Sequence, residues 1–108
     1  MCPRELVLVR GATVRALAES PHVAGLKSLD LFRNYVGDAG ARALADSPHL
    51  ANLADLDLHE NEITVEGSQA LLASPHLTGV QRINLGTNSL GPKQKALWRK
   101  RLGKNVIV

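Results

Sequence analysis

A repeat of 27 residues constrains the fold of this chain more than any other feature of its sequence. Ser20-Pro21-His22-Val23 recurs as Ser47-Pro48-His49-Leu50 and again as Ser74-Pro75-His76-Leu77. Residues 26–52 and 53–79 are identical at 12 of their 27 aligned positions. Self-similarity at a fixed period is typical of chains built from stacked units, in which each unit packs against its neighbours. The sequence therefore predicts a stack of repeats.

Each repeat opens with leucines that alternate with polar residues. In Leu29-Asp30-Leu31 the two leucines face one side and Asp30 the other, which predicts a short strand with one buried face. An asparagine follows each strand at the same interval, as Asn34, Asn61 and Asn88. Because an amide side chain both donates and accepts hydrogen bonds, the three asparagines are predicted to form a ladder between neighbouring turns.

The second half of each repeat is predicted to be a short helix. Residues 38–45 are rich in alanine and begin with Asp38, which can cap a helix start. Gly40 and its equivalent Gly67 lie in the first helical turn, where close packing against the strand layer would account for a glycine. Pro48 and Pro75 cannot continue a helix and are predicted to end it. One repeat is therefore one strand followed by one helix.

The pattern L-x-x-L-x-L-x-x-N recurs at residues 26–34, 53–61 and, with Val80 and Ile83 for two of the leucines, 80–88. At these residues the chain resembles the leucine-rich repeats, and a period of 27 with a following helix is most similar to the ribonuclease-inhibitor-like subtype and to repeat arrays of bacterial proteins. The resemblance implies an α/β leucine-rich repeat solenoid, with a parallel β-sheet on the concave side and short helices on the convex side.

The whole chain, residues 1–108, is predicted to be one domain. Residues 1–25 form a degenerate first repeat with a strand over 5–9, residues 26–52 and 53–79 are full repeats, and residues 80–108 form a last repeat. Within the last repeat we expect a basic capping helix over 92–102, ended by Gly103, and a strand over 106–108. Trp98 is expected to cover the open end of the core, and a ligand-stacking role is the alternative.

Charge is distributed unevenly along the chain. The net charge is +3, yet residues 1–91 carry seven Lys/Arg and ten Asp/Glu, whereas residues 92–108 carry six Lys/Arg and no acid. A single cysteine, Cys2, excludes an intrachain disulfide and favours a reducing compartment. Neither an apolar run long enough to span a membrane nor a signal peptide is evident, so we expect a cytoplasmic protein without membrane association.

No catalytic or cofactor motif is found. His22, His49 and His76 would stack in a column rather than converge on one point, so no metal site is predicted. Asp55, Asp57, His59 and Glu60 could act as acids or bases, but the alternation places the two aspartates on the open sheet rather than in a dry pocket. We therefore expect a protein that is not an enzyme and has no cofactor.

The exposed face of the predicted sheet is the candidate binding surface. Nine predicted site residues, named the nine site residues, project from three successive strands: Asp30, Phe32, Arg33, Asp55, Asp57, His59, Glu60, Arg82 and Asn84. The favoured function is a module that binds a protein or peptide partner there. One alternative is binding of nucleic acid or another acidic surface through the basic helix, which the acidic sheet disfavours. The other is a structural subunit that self-associates through the ends of the stack.

Overall fold

Strands and helices alternate along the part of the chain that the computed structural model describes, residues 11–108 without the side chains of residues 11–13 and His22. The predicted strand over 5–9 and Cys2 lie outside these residues. The elements in chain order are α1 (Gly11–Ala18), β1 (Ser28–Asp30), α2 (Gly37–Ala45), β2 (Asp55–Asp57), α3 (Val65–Ala73), β3 (Arg82–Asn84), α4 (Gly91–Leu102) and β4 (Val106–Ile107).

The four strands form one parallel sheet in the order β1-β2-β3-β4. Its register follows the repeat, because Leu29 pairs with Leu56 and Leu56 with Ile83. These three side chains are buried, while the residues on either side of each in its strand are partly or fully exposed. The predicted alternation and the predicted parallel pairing are both confirmed.

Helices cover the other face of the sheet, and α2 packs between α1 and α3. The core between the two layers is aliphatic: Leu31, Leu44, Leu58 and Leu71 are each at most 1% exposed. Burying one leucine side chain stabilises the folded state by about 1.5–3 kcal/mol. The buried leucines of each repeat therefore supply most of the stabilisation of the fold. Because every repeat places its strand beside the preceding strand, polar residues at equivalent positions form columns across the exposed face.

The asparagine ladder is present. The Asn61 side-chain oxygen accepts hydrogen bonds from the backbone N–H groups of Asn34 (2.8 Å) and Val36 (3.1 Å), and its amide donates to the Leu31 carbonyl (2.7 Å). One repeat later, the Asn88 side-chain oxygen accepts hydrogen bonds from the backbone N–H groups of Asn61 and Ile63 in the same way. The ladder thus satisfies the backbone groups that each turn leaves open, as predicted.

A second ladder runs through the serines that precede the repeat prolines. The hydroxyl of Ser47 donates to the Ala18 carbonyl of the preceding helix, and that of Ser74 donates to the Ala45 carbonyl, both at 2.5 Å. Each hydroxyl also accepts the N–H of the histidine two residues further on. Both serines are buried. Through these hydrogen bonds each serine links the end of one helix to the turn that follows the next helix.

Asp38 does not cap its own helix, and that prediction is wrong. The carboxylate instead reaches α3 in the next repeat, where it accepts from the Thr64 N–H (2.7 Å), the Thr64 hydroxyl (2.5 Å) and the Gly67 N–H (3.1 Å). Thr64 precedes α3 without capping it through its own side chain. The free N–H groups at the start of α3 are therefore satisfied by a neighbouring repeat.

Replacing Asp38 with alanine is expected to lower the free energy of unfolding by about 1–2 kcal/mol, the usual effect of losing a helix cap. Partial burial alone would raise the pKa of Asp38, but hydrogen bonds from Thr64 and Gly67, together with Arg42, outweigh it and lower the pKa. A lowered pKa stabilises the folded state above the unfolded-state value of about 4, and this contribution is lost as the pH falls through the lowered pKa.

Urea unfolding of both proteins at pH 7 and at successively lower pH checks this prediction. The difference between wild type and Asp38→Ala should be full at pH 7 and shrink below about pH 4. Asp46→Ala is the matched control, because among residues 11–108 the Asp46 side chain forms no hydrogen bond or ion pair. A difference that is the same at every pH would show that the carboxylate charge does not hold α3.

Gly67 is required by a close approach between helices. A Cβ at this position would lie 2.5 Å from the Asp38 Oδ1 atom and 3.1 Å from the Ala41 Cβ atom. Close packing was therefore predicted correctly, but the neighbour is the preceding helix rather than the strand layer. At Gly40 the nearest atom to such a Cβ belongs to Val36, at 2.7 Å, in the loop before the helix. The equivalent loop residue Ile63 lies 2.9 Å from a Cβ at Gly67.

The structure confirms the predicted basic helix and the predicted strand after it. Helix α4 covers Gly91–Leu102, Gly103 stops it with a positive φ of 60°, and β4 pairs parallel with β3. Trp98 is 3% exposed, belongs to the hydrophobic core and lines a small cavity together with Leu71, Leu77 and Val80, so it covers the end of the core. Because the ring is buried, the alternative in which Trp98 stacks on a ligand is wrong.

Candidate partner-binding surface

Two rows of side chains stand on the exposed face of the sheet. The first row, at the amino ends of the strands, contains Ser28, Asp55 and Arg82, and the second row, two residues further along, contains Asp30, Asp57 and Asn84. These positions alternate with the buried Leu29, Leu56 and Ile83. The side chains of both rows can therefore differ between repeats without changing the core.

The first row is internally paired. The guanidinium of Arg82 donates to Asp55 Oδ1 at 2.7 Å, and the hydroxyl of Ser28 donates to Asp55 Oδ2 at 3.3 Å. Both charged side chains are more than a third exposed, so the pair adds little to the stability of the fold. Asp55 was predicted as part of an acidic patch, but its charge is largely matched by a residue of the next strand.

The second row combines a local structural role with free charge. Asp30 Oδ1 accepts the Phe32 N–H and Asp57 Oδ1 accepts the His59 N–H, each at 3.0 Å, and Asn84 does the same for Gly86. These bonds form the turn at the end of each strand. Both Asp30 and Asp57 are half-buried, and neither forms an ion pair with any residue of the described range 11–108.

An aromatic pair continues the surface beyond the second row. The Phe32 and His59 rings lie 5.1 Å apart between centroids at an angle of 31°, and Phe32 remains 38% exposed. The Arg33 guanidinium carbon lies 5.3 Å from the centroid of Phe32. On its other side, His59 Nε2 is 3.3 Å from the Thr87 hydroxyl. The Phe32 ring is thus held in place by its neighbours while one part of it stays accessible.

Arg33 and Glu60 form the second ion pair of the surface, with 2.8 Å between Arg33 Nε and Glu60 Oε1. The hydrogen bond from Arg33, aided by its charge, lowers the pKa of Glu60, and the same bond raises the pKa of Arg33. Glu60 therefore stays ionised over the physiological range. Like Asp55, it is a predicted acidic site residue whose charge is matched within the chain.

The turn after each strand contains recurrent residues with a positive φ. Arg33, Glu60 and Thr87 occupy equivalent positions in three repeats, and all three have a positive φ, of 54°, 58° and 55°. Residues with a side chain are uncommon in this region, where glycine fits at lower cost. Tyr35 and Glu62, which are also equivalent in the repeat, have positive φ values of 56° and 61°, so this geometry belongs to the turn after each strand.

A groove of about 490 Å³ lies along the exposed face of the sheet. Five of the nine site residues line it: Asp30, Asp55, Asp57, Arg82 and Asn84. The other four, Phe32, Arg33, His59 and Glu60, flank it beyond the carboxyl ends of the strands. The structure thus places all nine on one continuous surface.

Three residues of the groove were missed by the sequence analysis. They come from the segment after α4: Lys104, Asn105 and Ile107. Ile107 is 59% exposed and pairs with Asn84, so alternation along the predicted strand over 106–108 could have placed it on this face. Lys104 and Asn105 carried no such signal, because the short turn between α4 and β4 lacks the Ser-Pro-His sequence of the other repeat junctions.

The helix layer offers less to a partner. A hollow of about 800 Å³ beside α1 and α2 is lined by four charged residues, three of which form ion pairs, Arg15 with Glu19 and Arg42 with Glu66. The cations of α4 are mostly exposed, but its tryptophan is buried with Arg101 over the ring. A nucleic acid would find charge on this helix and no accessible aromatic ring on which a base could stack.

Comparison with known proteins supports one family. Residues 26–45 match the family model described as a leucine-rich repeat. The match supports a leucine-rich repeat in this chain. A mixed α/β structure with a parallel four-stranded sheet fits that type of fold. A search of curated proteins finds no match to the chain.

Metal and membrane sites were also considered. Among residues 11–108, no group of three or more histidine, cysteine, aspartate or glutamate side chains is placed to hold a metal ion. Helices in the same range are all too short or too polar to cross a bilayer. The described histidines of the repeat junctions, His49 and His76, are half-buried in the turns between helix and strand.

Proposed function

We propose that this chain is a non-catalytic binding module that holds a protein or peptide partner on the exposed face of its sheet. The nine site residues, together with Lys104 and Ile107, form the contact surface. Leucine-rich repeat domains generally mediate protein–protein interactions, which supports this class of function. The short array acts as a rigid solenoid of the ribonuclease-inhibitor-like kind, with the groove on its concave side.

The observation that carries the proposal is the accessible Phe32 ring beside the groove. Aromatic residues that are fixed in place and partly exposed lose little conformational entropy on binding and often supply most of the binding free energy. Here the ring is fixed by His59 and Arg33, and the adjoining groove offers both charged and apolar atoms. The same surface brings together charges of both signs, which set the orientation of a partner.

Replacing Phe32 with alanine is expected to weaken binding of the partner by about 30-fold, the effect of losing a central aromatic contact worth about 2 kcal/mol. Partners are first captured by the wild-type chain and identified by mass spectrometry. The affinity of each purified partner is then measured by calorimetry for wild type and Phe32→Ala.

Leu97→Ala is the matched control for this measurement. Leu97 lies on α4 and is 42% exposed, close to the 38% of Phe32, so the two substitutions remove similar apolar surface from opposite sides of the chain. Binding should be unchanged in Leu97→Ala. If Leu97→Ala weakens binding and Phe32→Ala does not, the partner binds the basic helix and the proposal is wrong.

A further inference from the structure

The groove carries free charges of opposite sign at its two ends. Asp30 and Asp57 lie beside each other on β1 and β2, and Lys104 lies on the far side, just before β4. The remaining charged pair of the groove, Asp55 and Arg82, is already joined at 2.7 Å. Within residues 11–108, Asp30, Asp57 and Lys104 form no ion pair.

The two aspartates have an unfavourable arrangement that a cation would relieve. Asp30 and Asp57 are direct partners in the parallel register, so their Cα atoms lie about 5 Å apart. Like charges at directly opposite positions destabilise a sheet. The next residue in the same row is Asn84, which makes the equivalent turn bond without a charge. The turn therefore does not require a carboxylate, and the two charges are available for binding.

The distance between the charged ends specifies what fits between them. From the midpoint of Asp30 and Asp57 to Lys104 the groove crosses two to three strands and runs along them for about three residues, a distance of about 15 Å. An extended peptide covers this distance with a separation of about four residues, and residues four apart in a strand face the same side.

We propose, on the basis of the function proposed above, that the groove binds an extended segment of a partner protein in which an arginine or lysine and an aspartate or glutamate are four residues apart. The basic side chain lies between Asp30 and Asp57, and the acidic side chain pairs with Lys104. The apolar Ile107, 59% exposed beside Lys104, packs against the acidic end of the segment.

The proposal is tested with blocked nonapeptides of serine and alanine that contain one arginine and one glutamate. At low salt, the peptide with a four-residue separation should bind at least tenfold more tightly than peptides with a two-residue separation or with glutamine in place of either charge. Binding is measured by fluorescence anisotropy. Its location is measured from NMR shifts of the backbone amides of Gly86 and Ile107.

Reversing the charge of Lys104 and of its partner residue in the peptide provides a control, because a purely structural effect of the substitution would not restore binding. Lys104→Glu should lose about tenfold in affinity for the arginine–glutamate peptide and regain it with a peptide that carries arginine at both positions. Asp57→Asn should weaken binding and yet raise the urea midpoint of unfolding, because it removes the repulsion from Asp30 and keeps the turn acceptor. A lower midpoint in Asp57→Asn would overturn the role given to this pair.

The outcomes separate this proposal from the function on which it rests. Equal affinity of all peptides, with shifts in the groove, overturns the charge pattern and leaves a binding module. Shifts outside the groove, or no binding of any peptide, also overturn the charge pattern. In that case the comparison of Phe32→Ala with Leu97→Ala on a captured partner decides the proposed function independently.

Discussion

Replacing Asn61 with alanine is expected to lower the free energy of unfolding by about 3–5 kcal/mol, because it leaves several buried backbone groups without partners, each at a cost of about 1–3 kcal/mol. Asn61 is fully buried and bonds the N–H groups of Asn34 and Val36 and the carbonyl of Leu31. These groups are too deep for water to replace the amide. Urea unfolding followed by circular dichroism measures the loss.

Asn52→Ala is the matched control, since it makes the same substitution at an exposed site. Asn52 forms one hydrogen bond, from its amide to the Ala24 carbonyl at 3.1 Å, and its loss should cost less than about 1 kcal/mol. Asn88→Ala should fall between the two, because Asn88 makes similar bonds but is only half-buried. Equal losses in all three variants would show that the ladder contributes nothing specific to stability.

The architecture could be predicted because the repeat carries its own register. Leu29, Leu56 and Ile83 are 27 residues apart and are direct partners in the sheet. The alternation of apolar and polar residues around each of them predicted which face of its strand is buried. The recurrent asparagines predicted the hydrogen-bonded ladder. In each case a local pattern and a fixed period were sufficient, because equivalent residues of stacked repeats become neighbours in space.

Contacts that do not repeat could not be predicted in this way. Asp38 aligns with Val65, so the sequence holds no column of acids at this position, and its bonds to Thr64 and Gly67 depend on how closely α2 approaches α3. The approach distance is set by small residues such as Ala41 and Gly67, not by any single motif. The buried serine hydroxyls were missed for a different reason, since Ser47 and Ser74 were considered only as part of a proline turn.

The exposed face of the sheet was predicted correctly, but the balance of charge on it was not. Alternation identified the face of the sheet, but the ion pairs Arg33–Glu60 and Asp55–Arg82 reduce the acidic character expected for its centre. Both pairs join residues 27 apart, so opposite charges at equivalent repeat positions were a signal that the sequence contained. The free carboxylates are therefore Asp30 and Asp57, which is the basis of the charge pattern proposed for the partner.

Replacing Trp98 with alanine is expected to lower the free energy of unfolding by about 3–5 kcal/mol, the usual cost of removing a large buried side chain. The ring belongs to the same buried core as Leu71, Leu77 and Val80, and its Nε1–H donates to the Ser68 hydroxyl at 2.8 Å. That hydroxyl donates in turn to Gln94 Oε1 at 2.7 Å, so the truncation also breaks a buried chain of polar contacts. Urea unfolding followed by circular dichroism measures the effect without relying on tryptophan fluorescence.

Two further substitutions separate the packing of Trp98 from its hydrogen bond. Trp98→Phe keeps most of the apolar contact and loses the donor to Ser68, so we expect a cost of about 1–2 kcal/mol. Leu97→Ala changes the adjacent exposed residue of α4 and should cost less than about 1 kcal/mol, because little buried surface is lost. If Trp98→Phe were as destabilising as Trp98→Ala, the hydrogen bond to Ser68, rather than coverage of the aliphatic core, would be what holds α4 against the last full repeat.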